Sequence, residues 1–122
     1  MKWPDRKQVD EAFRRLVAGL CGRQNIQGIG YVGSYARGDW GVGSDLDVVA
    51  VVSTEDAVSV VRDELTDLLL ELPVPADLSV LTPSRLERIR AAETRYYRVV
   101  CNETVWACGG LTAAPGQGNK LR

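Results

Sequence analysis

The chain has 122 residues and a net charge of −1, from fifteen Lys and Arg against sixteen Asp and Glu. That length suits one domain burying about 65% of its unfolded surface, and the near-neutral balance excludes the broad basic footprint of a general nucleic-acid binder. Histidine is absent, which removes Ser-His and Cys-His nucleophile pairs, imidazole acid–base chemistry and His-based zinc sites.

Three cysteines, Cys21, Cys101 and Cys108, are odd in number and form no C-x-x-C pair. We therefore expect no disulfide, three small buried thiols and a reducing, cytoplasmic setting. The opening MKWPDRKQVDEAF lacks the apolar stretch of a signal peptide. No apolar run nears the ~20 residues that span a bilayer, so a soluble chain with no membrane partner is expected.

In chain order, Val9, Ala12, Phe13, Leu16, Val17 and Leu20 recur at helical spacing and predict an amphipathic helix over 5–21. The glycine-rich IQGIGYVGS that follows alternates as a strand packed closely against a helix. LDVVAVVS, 46–53, is a nearly continuous β-branched run and reads as a central strand. Ala57, Val61, Leu65, Leu68, Leu69 and Leu72 form one stripe of a helix over 55–72, closed by Pro73 and Pro75. ADLSVLT, 76–82, is a third strand. Thr82 and Pro83 then suit the cap and first position of a helix running to Arg98. Residues 103–107 read as a short edge strand or turn. From Gly109 onward large apolar residues are too few to fold, so 1–108 is read as the domain and 109–122 as a fraying tail. The fold class is α/β (α+β): a small mixed sheet with helices mainly on one face.

Chemistry concentrates in GSYARGDWGVGSDLD, 33–47. Asp45 and Asp47, two apart at a strand start, project from one face. Two carboxylates so placed repel unless a cation joins them, and Mg²⁺ prefers such oxygen ligands. Asp77 is the lone acid of its strand and completes a set of three if that strand lies beside 46–53. Three such acids suit a two-metal site for displacement at phosphorus. At the other end Gly33 and Ser34 offer backbone amides and a hydroxyl to phosphate oxygens, and Arg37 is placed to neutralise a leaving pyrophosphate.

This stretch resembles the signature of the DNA polymerase β-like nucleotidyltransferase superfamily: Gly-Ser, ten residues, then Asp-x-Asp. Gly-Ser-x-x-Arg-Gly, the Ser44-Asp45 dipeptide and the later Asp77 match as well. The resemblance covers residues 26–82 and looks like a minimal nucleotidyltransferase without accessory domains. It implies transfer of a nucleoside monophosphate from ATP or another NTP to an acceptor hydroxyl. By the same resemblance Asp45 and Asp47 bind Mg²⁺, Asp77 binds a second metal and helps deprotonate the acceptor, and Gly33, Ser34, Arg37 and Ser44 hold the nucleotide. Minimal members resemble antitoxins that attach AMP to a tyrosine of an HEPN-type toxin, which implies a protein partner or a homodimer. Asp39 and Trp40 depart from the family's usual filler and leave the loop's shape open.

Other residues read more plainly. Asp39 is a loop acid, and Tyr96 and Tyr97 suit packing against core or partner. The arginines of RLERIRAAETRYYR suit a solvated helix face, with a patch for an acidic partner or RNA as the sharper reading. Two competitors remain at this stage: a non-catalytic binding module on the same fold, and a small-molecule enzyme of the aminoglycoside-modifying kind, which carries a helical domain this chain lacks.

Overall fold

The structure is a computed structural model that describes residues 3–111. Helix α1, Arg6–Val17, opens on a capping box: the Gln8 amide donates to Asp5 Oδ1 at 2.8 Å and the Asp5 amide to Gln8 Oε1 at 2.9 Å. Strand β1, Ile26–Val32, leads into a four-residue helix α2, Ser34–Arg37. Strand β2, Leu46–Val52, helix α3, Ala57–Leu69, and strand β3, Ala76–Leu81, follow. Helices α4, Pro83–Ala91, and α5, Arg95–Glu103, precede the last strand β4, Val105–Gly109.

The sheet order is β3-β2-β1-β4, with β1 antiparallel to both neighbours and β2 parallel to β3. A parallel pair needs a crossover, and α3 supplies it. Alternation along the strands divides the core. Val48, Ala50 and Val52 face the larger cluster with Val9, Phe13 and Val17 of α1 and Val61 and Leu65 of α3. Val49, Val51 and Leu81 face the opposite side and are covered by Val100 of α5 and, at the margin, Leu86 of α4. The main helical layer is thus on one face, as expected. Phe13 meets Tyr31 edge-to-face with ring centroids 5.5 Å apart. The Tyr31 hydroxyl donates to Asp10 at 2.7 Å, and burial together with that bond pushes its pKa up to about 12.

Four expectations change. The helix foreseen over 5–21 ends at Val17, and turns such as Leu20 N–H to Val17 O (2.9 Å) carry the chain onward. The helix foreseen over 83–98 is two helices. Glu93 takes a positive φ of 55°, and the Thr94 hydroxyl donates to Ile89 O while accepting the Tyr97 amide, which closes α4 and caps α5. The β1 glycines make room for a strand, not a helix: a Cβ on Gly28 would lie 2.6 Å from Gly110 N, and one on Gly30 2.5 Å from Val105 O.

The cysteine reading is also corrected. Cys21 and Cys108 are joined in a disulfide across 87 residues, and Cys101 is exposed. The turns after α1 and the close pass of β4 along β1 bring the two together, which neither an odd count nor local spacing reveals. The inference from cysteine usage to a reducing compartment loses its ground. Among the described residues, no helix is long and apolar enough to cross a membrane. Gly109 closes β4, the Gly110 amide donates to Gln27 O at 3.1 Å, and Leu111 packs on the second core; of the expected tail, 112–122 lie outside the described residues.

Candidate active site

The parallel pairing of β2 with β3 sets Asp47 directly opposite Asp77. Paired residues of adjacent strands share a face and lie about 4.8 Å apart between strands, so the two carboxylates stand side by side. Their face is the one that Val49, Val51 and Leu81 share with α5. Asp45 lies one residue before β2, exposed, and the Leu46 amide donating to Pro75 O at 2.9 Å ties the starts of the two strands together.

On the other flank Val32 of β1 pairs with Asp47, and Gly33 follows. Gly33 has φ 83° and ψ −153°, a region essentially reserved for glycine. A Cβ there would collide with Asp47 Oδ2, so the carboxylate rests against the bare Gly33 Cα. The glycine expected to grip phosphate is therefore required first by its own backbone and by Asp47. Ser34 begins α2, and Gly38 ends it in the left-handed conformation with its amide donating to Ser34 O at 2.9 Å.

The loop between α2 and β2 is anchored by a residue whose part the motif did not show. Trp40 stacks on Tyr35, ring centroids 5.7 Å apart and planes nearly parallel. Tyr35 is itself buried, accepting Trp3 Nε1–H on its hydroxyl at 3.0 Å and Arg6 Nε–H on its carbonyl at 2.6 Å. The signal available in the sequence was the aromatic pair five residues apart within a glycine-rich loop. Ser44 closes a turn: its Oγ accepts the Gly41 amide at 2.9 Å, and its own amide donates to Gly41 O at 3.0 Å. Its oxygen thus shapes the loop, while the hydroxyl proton keeps one hydrogen bond to give.

Asp47 has a pKa above the usual carboxylate range, raised by burial first and then by the charges of Asp77 and Asp45, with Arg37 opposing. Arg37 pairs with Asp39 at 3.1 Å in an exposed contact, and its own pKa is raised chiefly by that bond, with smaller contributions from Glu103 and Asp47. The motif's acids, its arginine and the Gly33 turn thus share one site. Among the described residues, no three Asp, Glu or Cys side chains are drawn together as a ready-made metal cluster. The donor set nevertheless fits a hard divalent cation: it is all carboxylate, Asp77 and Asp45 disfavour the charge on Asp47, and the nearest guanidinium is engaged by Asp39.

Residues 13–106 match the family model described as a nucleotidyltransferase domain. Among solved structures, a protein of Sulfolobus solfataricus provisionally described as a nucleotidyltransferase is similar at 18% identity and a TM-score of 0.55, over 83% of this chain and 80% of that one. A toxin-antitoxin structure solved with AMP-PNP is similar at 18% identity over 82% of this chain and 73% of that one, with a TM-score of 0.47. The first likeness is one of fold, and the second is too distant to add to it. No curated protein sequence is similar enough to this chain to count as a relative.

Proposed function

Because the chain belongs to the nucleotidyltransferase domain family, we propose that it transfers AMP from ATP to an acceptor hydroxyl. The observation that supports this most is the register that sets Asp47 beside Asp77, with Gly33 packed on the Asp47 carboxylate. The acceptor oxygen attacks the α-phosphorus and an oxygen–phosphorus bond forms. The bond from that phosphorus to the bridging oxygen breaks, and pyrophosphate leaves. The acceptor's proton passes to the Asp77 carboxylate, the most open of the strand acids, and from there to solvent.

Asp45 and Asp47 would hold one Mg²⁺ and Asp77 would share a second, a pair that supplies charge neutralisation at the phosphates when bound. Arg37 meets the leaving pyrophosphate by exchanging its exposed contact with Asp39, a pair weak enough to give way. Ser34 offers its hydroxyl to the triphosphate. The acceptor comes from a partner, an HEPN-type toxin carrying the target tyrosine or a second copy of the chain. The same acids without a preformed cluster favour, as second reading, a fold kept for binding alone.

The test is isothermal titration of ATP in Mg²⁺ and in EDTA, with the wild type and with Asp45→Asn, Asp47→Asn. Binding that needs Mg²⁺ and vanishes in the variant is expected. Binding equal in EDTA and in the variant would overturn the metal-dependent reading and leave the binding module.

A further inference from the structure

Strand β3 is one end of the sheet: its hydrogen-bonded neighbour is β2, and among the described residues no strand covers its other side. A cleft of about 400 Å³ runs along that edge between α3 and α4. Its cations are Arg62 of α3 and Arg85 and Arg88 of α4, and among the described residues no acid lines it. Arg85 is engaged, donating to Glu55 and, at 3.4 Å, to Val80 O. Arg62 and Arg88 are exposed and make no ion pair among the described residues. In a chain of net charge −1 this is a local positive site.

Two further observations point to a ligand. Tyr96 lines the cleft, and its hydroxyl is buried with no hydrogen-bond partner among the described residues, a condition that costs free energy until an acceptor arrives. Ser79 lines the cleft too, and stands two residues beyond Asp77 on the same face of β3. The cleft therefore begins about one strand repeat, ~7 Å, from the acid that faces the acceptor.

We propose that this cleft docks an extended, acidic peptide segment of the acceptor protein, added as a strand along β3 between Arg62 and Arg88. Apart from Val80 O, which Arg85 already uses, the strand edge supplies main-chain hydrogen bonds, and the arginines select acidic side chains. Its apolar residues, Val80, Leu81 and Ile89 among them, and the one aromatic ring among its described lining residues suit a peptide better than a nucleic-acid strand, which calls for serial stacking and a run of phosphate contacts. This deepens the transfer reading and rests on it for the last step, in which the docked segment carries its hydroxyl to Asp77.

The test uses fluorescence anisotropy of a labelled eight-residue peptide of alternating Glu and Val at about 50 mM salt, where screening is weak. Its counterparts are the same peptide with alternate amides N-methylated, a Lys-Val peptide and an eight-nucleotide oligoadenylate. The acidic peptide is expected to bind the full chain, the N-methylated and Lys forms not. Arg62→Glu with Arg88→Glu should weaken binding about tenfold or more, and Arg62→Gln with Arg88→Gln by less. Both residues are exposed, and if the charge reversals misfold, the Gln pair decides. No binding of the acidic peptide, equal binding of the N-methylated form, indifference to the arginine changes, or tighter binding of the oligonucleotide would each overturn the proposal. ATP titration of the same proteins separates the two readings: nucleotide binding lost with peptide binding intact sinks the transfer reading and leaves the docking site standing.

Discussion

At Asp47 the needs of a stable fold and of a charged site oppose each other, and the opposition is measurable. Its folded pKa is raised above the unfolded value. The stability it contributes is therefore fully present below the ordinary carboxylate range and is lost as pH rises through the raised pKa. Asp47→Asn removes that loss, so the ligand-free variant should melt a few degrees above the wild type at pH 7 and show a flatter Tm against pH across the acid range. Metal-dependent ATP binding should vanish in the same protein. A variant that melts lower at pH 7 would contradict the sign. Gly33→Ala tests the neighbouring constraint: its backbone region costs a non-glycine residue about 1–3 kcal/mol, and the new methyl displaces the Asp47 carboxylate. Denaturant unfolding should show the loss, and titration should show weakened ATP binding. The side-by-side acids were legible because a period of two and one assumed neighbour suffice to place Asp77 by Asp47. The turn that Ser44 closes with Gly41 was not, since a motif names a residue without saying which bonds the loop itself draws from it.

Elements were legible where one physical cause dominated. β2 is β-branched throughout, α1 carries a cap and a stripe, and α3 ends before two prolines; each appears close to its expected place. The misreading over 83–98 has a clear cause: residues of good helical character run through a break set by Thr94, whose hydroxyl offers an alternative to the helical ladder. Thr94→Ala should cost about 0.5–2 kcal/mol through the lost cap, read as a lower denaturation midpoint with the slope unchanged. The glycines of β1 predict a close neighbour, and the sequence shows that something comes near without showing that it is β4 and not a helix. The short helix α2 was hidden because four residues carry no periodicity.

For the whole molecule, the least legible feature is the longest-range one. The Cys21–Cys108 disulfide joins the turns after α1 to β4 across 87 residues, and no local pattern reports such a contact. In the chain-entropy description a loop of that length stabilises by about 4–5 kcal/mol at most. Reduction, or Cys21→Ser with Cys108→Ser, should therefore lower Tm markedly, with thiol titration confirming the change in free cysteine. An unaltered Tm on verified reduction would show that the bond adds nothing. The bond has another consequence. Everything from α1's end to β4, the site included, is a covalent ring. Tryptic cleavage after exposed Arg37, inside the site loop, would open that ring without separating its parts. The nicked protein should run as one species without reductant and as two with it. Until reduced it would be two chains held by one side-chain bond, in which β1 and β2 are still paired but the backbone no longer passes from Gly33 to Asp47.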